Sequence, residues 1–242
     1  SQSQLANFND VGGSPIKLKA YNKVEGNPYF NDGAWTDGVI TGLDGKIIKG
    51  IKIRYNAFED ALEYRKNNGS FLLDGEQIKG FAIIDVNDNK NDIFKTGFGK
   101  VKNYNENGFF KVIFDEGDIS ILEKVISKKI TVTPAAYGES DYEKFVHTTK
   151  TYFKVAGQVS EGKVTKKNFM KLFPEYKNDI KKYLSDNDNS LSTRYEIQNL
   201  CNFLISKVSY RFHLIHVCFS VILILISNVL RSIYEVNFFF DC

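Results

Sequence analysis

GNPYFNDGAWTDGVITGLDGKIIKGIKIRYNAFEDALEYR, residues Gly26–Arg65, is the stretch whose reading decides the fold class. Short apolar runs alternate with tight-turn residues. Asp44-Gly45 lies between Val39-Ile40 and Ile47-Ile48, and Asp-Gly between apolar runs is a strong hairpin signal. Ile51-Lys52-Ile53-Arg54-Tyr55 alternates as a half-buried strand does. The stretch therefore predicts a β-built module.

The pattern continues on both sides. Ile16 to Tyr21 alternates in the same way, and further strands are expected at Leu62 to Tyr64, Gly80 to Val86, Phe109 to Phe114, Lys128 to Val132, Phe145 to Val155 and around Val159 to Val164. Turns are expected at Asn67 to Gly69, Asp74-Gly75, Asn87 to Asn91, Asn105 to Gly108 and Glu116-Gly117. Each supplies Gly, Asn or Asp, which tolerate positive φ or bond their own backbone. Such even spacing fits a curled sheet, roll or sandwich and not a series of βαβ units.

From Thr165 the period becomes helical. Phe169, Leu172 and Phe173 share one face, and Pro174 suits the first turn of a second helix. That second helix turns Tyr176, Ile180, Tyr183 and Leu184 inward and Lys177, Lys181 and Lys182 outward. A third helix is expected from Ser192 to Ser206, with Ile197, Leu200, Phe203 and Leu204 inward. The whole predicts an α+β chain: a mobile segment over 1–15, an antiparallel β-rich domain over 16–164, a helical cap over 165–206 and an apolar tail over 207–242.

Within the tail, Phe212–Leu230 is nineteen residues without a charge, bracketed by Arg211 and Arg231. As a helix it would be about 28 Å long at about 1.5 Å per residue, close to a hydrocarbon core of about 30 Å. Three readings stand: a transmembrane helix, a buried helix, or a non-native extension from reading AT-rich DNA past a stop.

Composition narrows the function. A net charge of +3 gives no field that argues for nucleic acid. Lys163, Lys166, Lys167, Lys171, Lys177, Lys181 and Lys182 read as the solvated faces of amphipathic helices. The three cysteines, Cys201, Cys218 and Cys242, all fall late in the chain. The β part therefore has neither a disulfide framework nor a Cys-rich zinc knuckle. The single methionine is Met170, and removal of a secretory signal peptide is one simple cause of a start at Ser1.

Familiar chemistry is not visible. His147 is the lone histidine of the β part and reads as a rim residue of an alternating strand. No Gly-x-Ser-x-Gly elbow accompanies it. Asp186 to Ser190 imitates the start of a calcium loop, but Leu191 stands where glycine is required and Ile197 where the bidentate glutamate is required. Asp85 to Asp92 fails in the same way. Gly97-Phe98-Gly99-Lys100 is too short for a phosphate loop. We expect no catalytic, cofactor-binding or metal-binding residues.

Glu59, Asp60 and Glu63 beside Trp35, Tyr55 and Tyr64 raise a carboxylate-dependent hydrolase as an alternative. The aromatic residues Tyr21, Tyr29, Phe30, Trp35, Tyr55, Phe58 and Tyr64 are expected to be mostly core, with a subset exposed as a glycan or peptide platform. The candidate binding surface is Tyr29, Trp35, Arg54, Tyr55, Asn56 and Tyr64. Arg54 is expected to be partly buried, hydrogen-bonded, and to fix the turn that follows it.

The pieces GNPYFNDGAW, IKIRYNAFEDALEYR, NDIFKTGF and KLFPEYKNDIKKYL together resemble a family of exported, uncharacterised Bacteroidetes proteins. Gly26 to Phe30, Arg54 to Glu63 and Leu172 to Lys182 carry the likeness, which covers Val24 to Ser206. The resemblance implies a periplasmic or cell-envelope protein that has lost a signal peptide, with no assigned activity and no catalytic residues to carry over. Members of that family end soon after the last helix, and the apolar tail departs from the pattern. The expected function is a non-catalytic binding or structural module of the envelope, with an unidentified protein or glycan partner, no nucleic acid and no cofactor. A membrane-anchored protein contacting the bilayer through Phe212–Leu230, its β domain outside the bilayer, is the second reading.

Overall fold

The computed structural model describes residues 14–15, 21, 23–66, 69–85, 90–135 and 139–207. Among them twelve strands form one sheet: β1 (Ser14–Pro15), β2 (Val24–Glu25), β3 (Thr36–Gly42), β4 (Ile47–Asn56), β5 (Ala61–Lys66), β6 (Gly69–Leu73), β7 (Ile78–Asp85), β8 (Lys90–Lys95), β9 (Phe110–Glu116), β10 (Ile119–Val132), β11 (Tyr142–Val155) and β12 (Gln158–Glu161). Two compact units divide the chain, Ser1–Asn168 and Phe169–Cys242.

The strand order is β1-β6-β5-β4-β3-β7-β8-β9-β10-β11-β12, with β2 beside β11. Every pairing is antiparallel except the parallel one between β2 and β11. The α+β class and the antiparallel sheet are therefore as the sequence implies. The Asp44-Gly45 hairpin forms between β3 and β4. The Gly42 N–H donates to the Lys46 carbonyl at 2.9 Å, the Lys46 N–H to the Asp44 carboxylate at 2.9 Å, and Gly45 takes φ +82, where a side chain would be strained.

Residues 74–77 alone join β6 to β7, although β5, β4 and β3 stand between those strands. In a flat sheet that separation is about 19 Å at about 4.8 Å per strand, whereas the five steps from Leu73 to Ile78 reach about 17 Å only if fully extended, and they are folded into a turn in which the Gln77 N–H donates to the Asp74 carbonyl at 3.2 Å. The sheet therefore curls. The core records it: Leu73 of β6, Ile53 and Tyr55 of β4, Phe81 of β7, Phe94 of β8 and Val125 of β10 share one buried cluster. A second cluster joins Phe98, Val101, Phe110, Leu122 and Tyr152, with Tyr104 and Val159 against it. At Gly80 a Cβ would lie 2.3 Å from the Phe94 carbonyl oxygen, so the close approach of β7 and β8 needs glycine there.

Several expectations change, beginning with β1, whose pairing of Ser14 and Pro15 with β6 falls inside the segment expected to be mobile, and β2, which had no expected counterpart. β8 was not foreseen, and Lys90 and Asn91 belong to it and not to a turn. β6 likewise had no expected counterpart. β10 begins nine residues earlier than expected, at Ile119 and not Lys128. The reason is burial on both faces: Ile119, Ile121, Leu122, Lys124 and Val125 are all buried, so period-2 alternation disappears. The strand expected at Ile16 to Tyr21 lies outside the described residues but for Tyr21.

α1 (Lys166–Leu172) contains the division between the two units, and it leads through a 3-10 turn at Pro174–Tyr176 into α2 (Lys177–Asp186). Residues 194–207 form α3. Ile180, Leu184, Ile197, Leu200 and Leu204 are buried, and Tyr183 stacks on Phe203 at 4.5 Å. The start of α3 is a capping box: the Thr193 N–H donates to Glu196 Oε2 at 2.9 Å, and the Glu196 N–H to Thr193 Oγ1 at 3.2 Å. These and further donors from Ser190 and Ser192 pull the Glu196 carboxyl down to about 2. The seven lysines read as solvated helix faces are all exposed.

Candidate functional site

Strand alternation sorts the six residues of the candidate surface. On β4, Ile53 and Tyr55 point into the curl, and Arg54 between them points away. Across the β4–β5 ladder Arg54 faces Glu63. Arg54 Nε and one terminal guanidinium nitrogen both donate to Glu63 Oε2, at 2.6 Å and 2.5 Å. The Tyr29 hydroxyl donates to the other oxygen at 3.3 Å. Tyr29 reaches this place because it bridges to Asn56 at the end of β4.

Above the pair lie two rings. The Arg54 guanidinium carbon is 3.9 Å from the Tyr29 ring centre and 4.4 Å from that of Trp35. Arg65, one row along β5, is 4.2 Å from the same Trp35 ring. Such stacks are worth about 0.5–1 kcal/mol each at exposed positions and more when desolvated. Burial and the neighbouring Glu63 charge push the Tyr29 hydroxyl up to about 12, against a smaller opposing pull from Arg54. Trp35 is half-buried and Arg65 exposed.

Tyr55, Asn56 and Tyr64 do not join this surface, which corrects their place in the candidate set: they are 0%, 2% and 2% exposed. Tyr55 and Tyr64 lie on the core-facing parity of their strands, which the cluster of sequence-adjacent aromatics conceals. Asn56 has a backbone role. Its Oδ1 accepts the N–H groups of Phe58 and Glu59, each at 3.1 Å. Asn56, and not Arg54, thus holds the turn after β4, while the partial burial and hydrogen bonding expected of Arg54 are present.

The carboxylates of this segment are each engaged. Glu59 accepts from the Tyr21 hydroxyl at 3.1 Å. Asp60 accepts from the Tyr55 hydroxyl at 2.6 Å and from Lys124 Nζ at 2.5 Å. This last contact was not anticipated from the sequence. Lys124 is 3% exposed, and its amine also donates to the Phe109 carbonyl at 2.8 Å. The rings of Tyr104 and Phe110 lie 5.0 and 5.2 Å from it. Burial pulls the Lys124 amine below the usual lysine range, and the Asp60 charge opposes that pull. The one available signal was a lysine inside the apolar run Ile119 to Ile126, where a solvated side chain has no place.

Elsewhere, His147 is exposed, with Nε2 2.8 Å from the Asn27 carbonyl. The Cys201 thiol is buried and pushed up to about 12 by that burial, so it is not a thiolate at neutral pH. A cleft of about 440 Å³ is lined by Lys95, Thr96, Asp115, Ser120 and Lys154 among others. Its lysines are engaged, Lys95 with Asp115 at 3.1 Å and Lys154 with the Phe98 carbonyl at 3.0 Å. Residues Asp186 to Ser190 serve the junction of α2 and α3, where Asn187 bonds the Tyr183 carbonyl at 2.8 Å and Asn189 the Glu196 carbonyl at 2.9 Å. Among the described residues no helix is long and apolar enough to cross a membrane. The stretch Phe212–Leu230 lies outside the described residues.

Comparison of the chain with protein-family models, with curated proteins and with solved structures gives no match.

Proposed function

We propose that this protein is an exported bacterial envelope module that binds a partner without catalysing a reaction, and that Trp35, Arg54 and Arg65 form its contact surface. The observation that carries the reading is the placement of Trp35. It is the single tryptophan of the chain, half-buried immediately before β3 and set against two guanidiniums at 4.4 and 4.2 Å. A rigid ring beside planar cations suits a glycan or peptide that carries carboxylates. Arg54 is neutralised by Glu63, so the exposed Arg65 supplies the charge. The resemblance to exported Bacteroidetes proteins supports the envelope location.

The single tryptophan reports on its own site. Its emission is followed during titration with neutral oligosaccharides, carboxylated oligosaccharides and an acidic peptide. A saturable change with a carboxylated ligand, weakened by Arg65→Ala, supports the reading. An unresponsive Trp35 across all three overturns it. The anchored alternative rests on the uncharged Phe212–Leu230 stretch. Carbonate-resistant membrane association of the full chain, absent from a chain ending at Ser206, would favour it.

A further inference from the structure

Among the described residues Lys124 is the one lysine or arginine that is buried, at 3% exposure. Its amine meets Asp60 in an arrangement that does more than pair charges. Asp60 closes the turn between β4 and β5 in the left-handed region, at φ +54. Its two oxygens have different surroundings. Oδ2 lies 2.5 Å from Lys124 Nζ. Oδ1 faces two donors, the Tyr55 hydroxyl at 2.6 Å and the Phe109 N–H at 3.4 Å. The Phe109 carbonyl takes a second amine hydrogen at 2.8 Å and so orients the nitrogen.

We propose that Lys124 and Asp60 condense to an intramolecular amide, an isopeptide cross-link that ties the β4–β5 turn to β10. Within the pair the ammonium passes one proton to Oδ2, leaving an amine and a carboxylic acid. The nitrogen lone pair forms a bond to Cγ. Negative charge gathers on Oδ1, where Tyr55 and Phe109 stand as two preplaced donors. A second proton moves from nitrogen to Oδ2, the Cγ–Oδ2 bond breaks, and water leaves. The carbonyl re-forms on Oδ1, and nitrogen keeps one hydrogen. Ammonium and carboxylate thus become amide and one water, with no oxidant, reductant or cofactor.

The surroundings favour each step. Rings of Tyr104 and Phe110 exclude solvent from the amine, and burial stabilises the neutral amine that must attack. The Asp60 side chain is 32% exposed, which gives the water an exit. Fixed juxtaposition replaces a bimolecular encounter, worth an effective concentration of up to about 10⁵–10⁸ M. The link would join residues 64 apart in sequence, in a β domain that has no cysteine before Cys201. It would do the work of a disulfide there.

The test is the intact mass of the denatured full chain, purified in folded form, with tandem mass spectrometry of a protease digest. The expected chain is one water lighter than its sequence, with a branched peptide joining residues 60 and 124. Lys124→Arg keeps the charge pair but lacks the amine, and restores the full mass. Tyr55→Phe removes one donor to Oδ1 and lowers the linked fraction at a fixed time at least about tenfold, given that one such donor is worth about 10²–10³ in rate. A folded full chain of unaltered mass overturns the proposal. So does a lost water that maps to a succinimide at Asp44-Gly45 or Asp74-Gly75. If Lys124→Arg does not fold, the mass and digest of the unsubstituted chain decide alone.

Discussion

Two cation–carboxylate pairs hold the sheet at the same 2.5 Å, Arg54 with Glu63 and Lys124 with Asp60. In the first, both donors converge on one oxygen and the guanidinium carbon lies 3.9 and 4.4 Å from the Tyr29 and Trp35 ring centres. Its side chain is 15% exposed, and a guanidinium is weakly hydrated, so little solvation is lost. In the second, a compact ammonium is enclosed with side-chain exposure of 4%. An ammonium gives up strong hydration on burial, and the attraction to Asp60 must offset that loss. Equal distances therefore hide unequal energetics. The arginine pair fastens a surface, and the lysine pair sits under strong desolvation where its chemistry can change.

The largest test of this contrast is Asp60→Ala. It leaves a buried lysine without its partner, and relative to parent chain of unaltered mass, in which the two are still an ion pair, we expect a loss of about 3–5 kcal/mol in urea unfolding. Glu63→Ala should lose less, about 1–3 kcal/mol, because Arg54 keeps two rings and some solvent. Equal losses would break the comparison. Arg54→Lys should cost about 1 kcal/mol by the same measurement, since a lysine cannot lie flat against both rings. It should also shift Trp35 emission, which Asp60→Ala leaves unchanged unless the whole sheet loosens.

The smallest effect is the alkaline limb of the stability curve. Tyr29 has its folded value raised from 10.0 to about 12. A raised acid binds more protons folded than unfolded between those values, so its contribution is complete below about 10 and is lost as pH rises through about 12. Tyr152, also raised to about 12, acts in the same sense. Urea midpoints of the parent chain should fall across that window, and Tyr29→Phe should shallow the fall. An equal slope in both proteins would mean that Tyr29 contributes nothing to it. Glu196 works at the other end. Its folded value near 2 lies below the ordinary 4.5, so its contribution holds above about 4.5 and disappears as pH falls through about 2. Protection factors of the amides at the start of α3, corrected for the intrinsic pH dependence of exchange, should fall there, and in Glu196→Gln at neutral pH.

Where sequence patterns were local, they were legible. The Asp44-Gly45 hairpin, the alternation of Ile51 to Tyr55, and the buried faces of α2 and α3 appear as read. Where a pattern depended on both faces of a strand, it failed. β10 hid its first half because Ile121 and Leu122 are both fully buried, and β8 hid among Asn and Asp residues that usually mark turns. The candidate surface was half legible. Tyr29, Trp35 and Arg54 come together, while Tyr55 and Tyr64 turn inward by strand parity, a property of register and not of residue type.

By itself, then, the sequence determined the α+β class, the turns at Asp44-Gly45, Asp74-Gly75 and Glu116-Gly117, and the amphipathic faces, because these follow from preferences within a few residues of each position. Only the tertiary structure decided that Arg65 reaches Trp35, and that Lys124 reaches Asp60 from 64 residues away. Strand order sets the first meeting, and curl of the sheet, which brings β10 back to the β4–β5 turn, sets the second. That curl is fixed by the packing of Leu73, Phe94 and Val125 in one core, and no short stretch of chain encodes it.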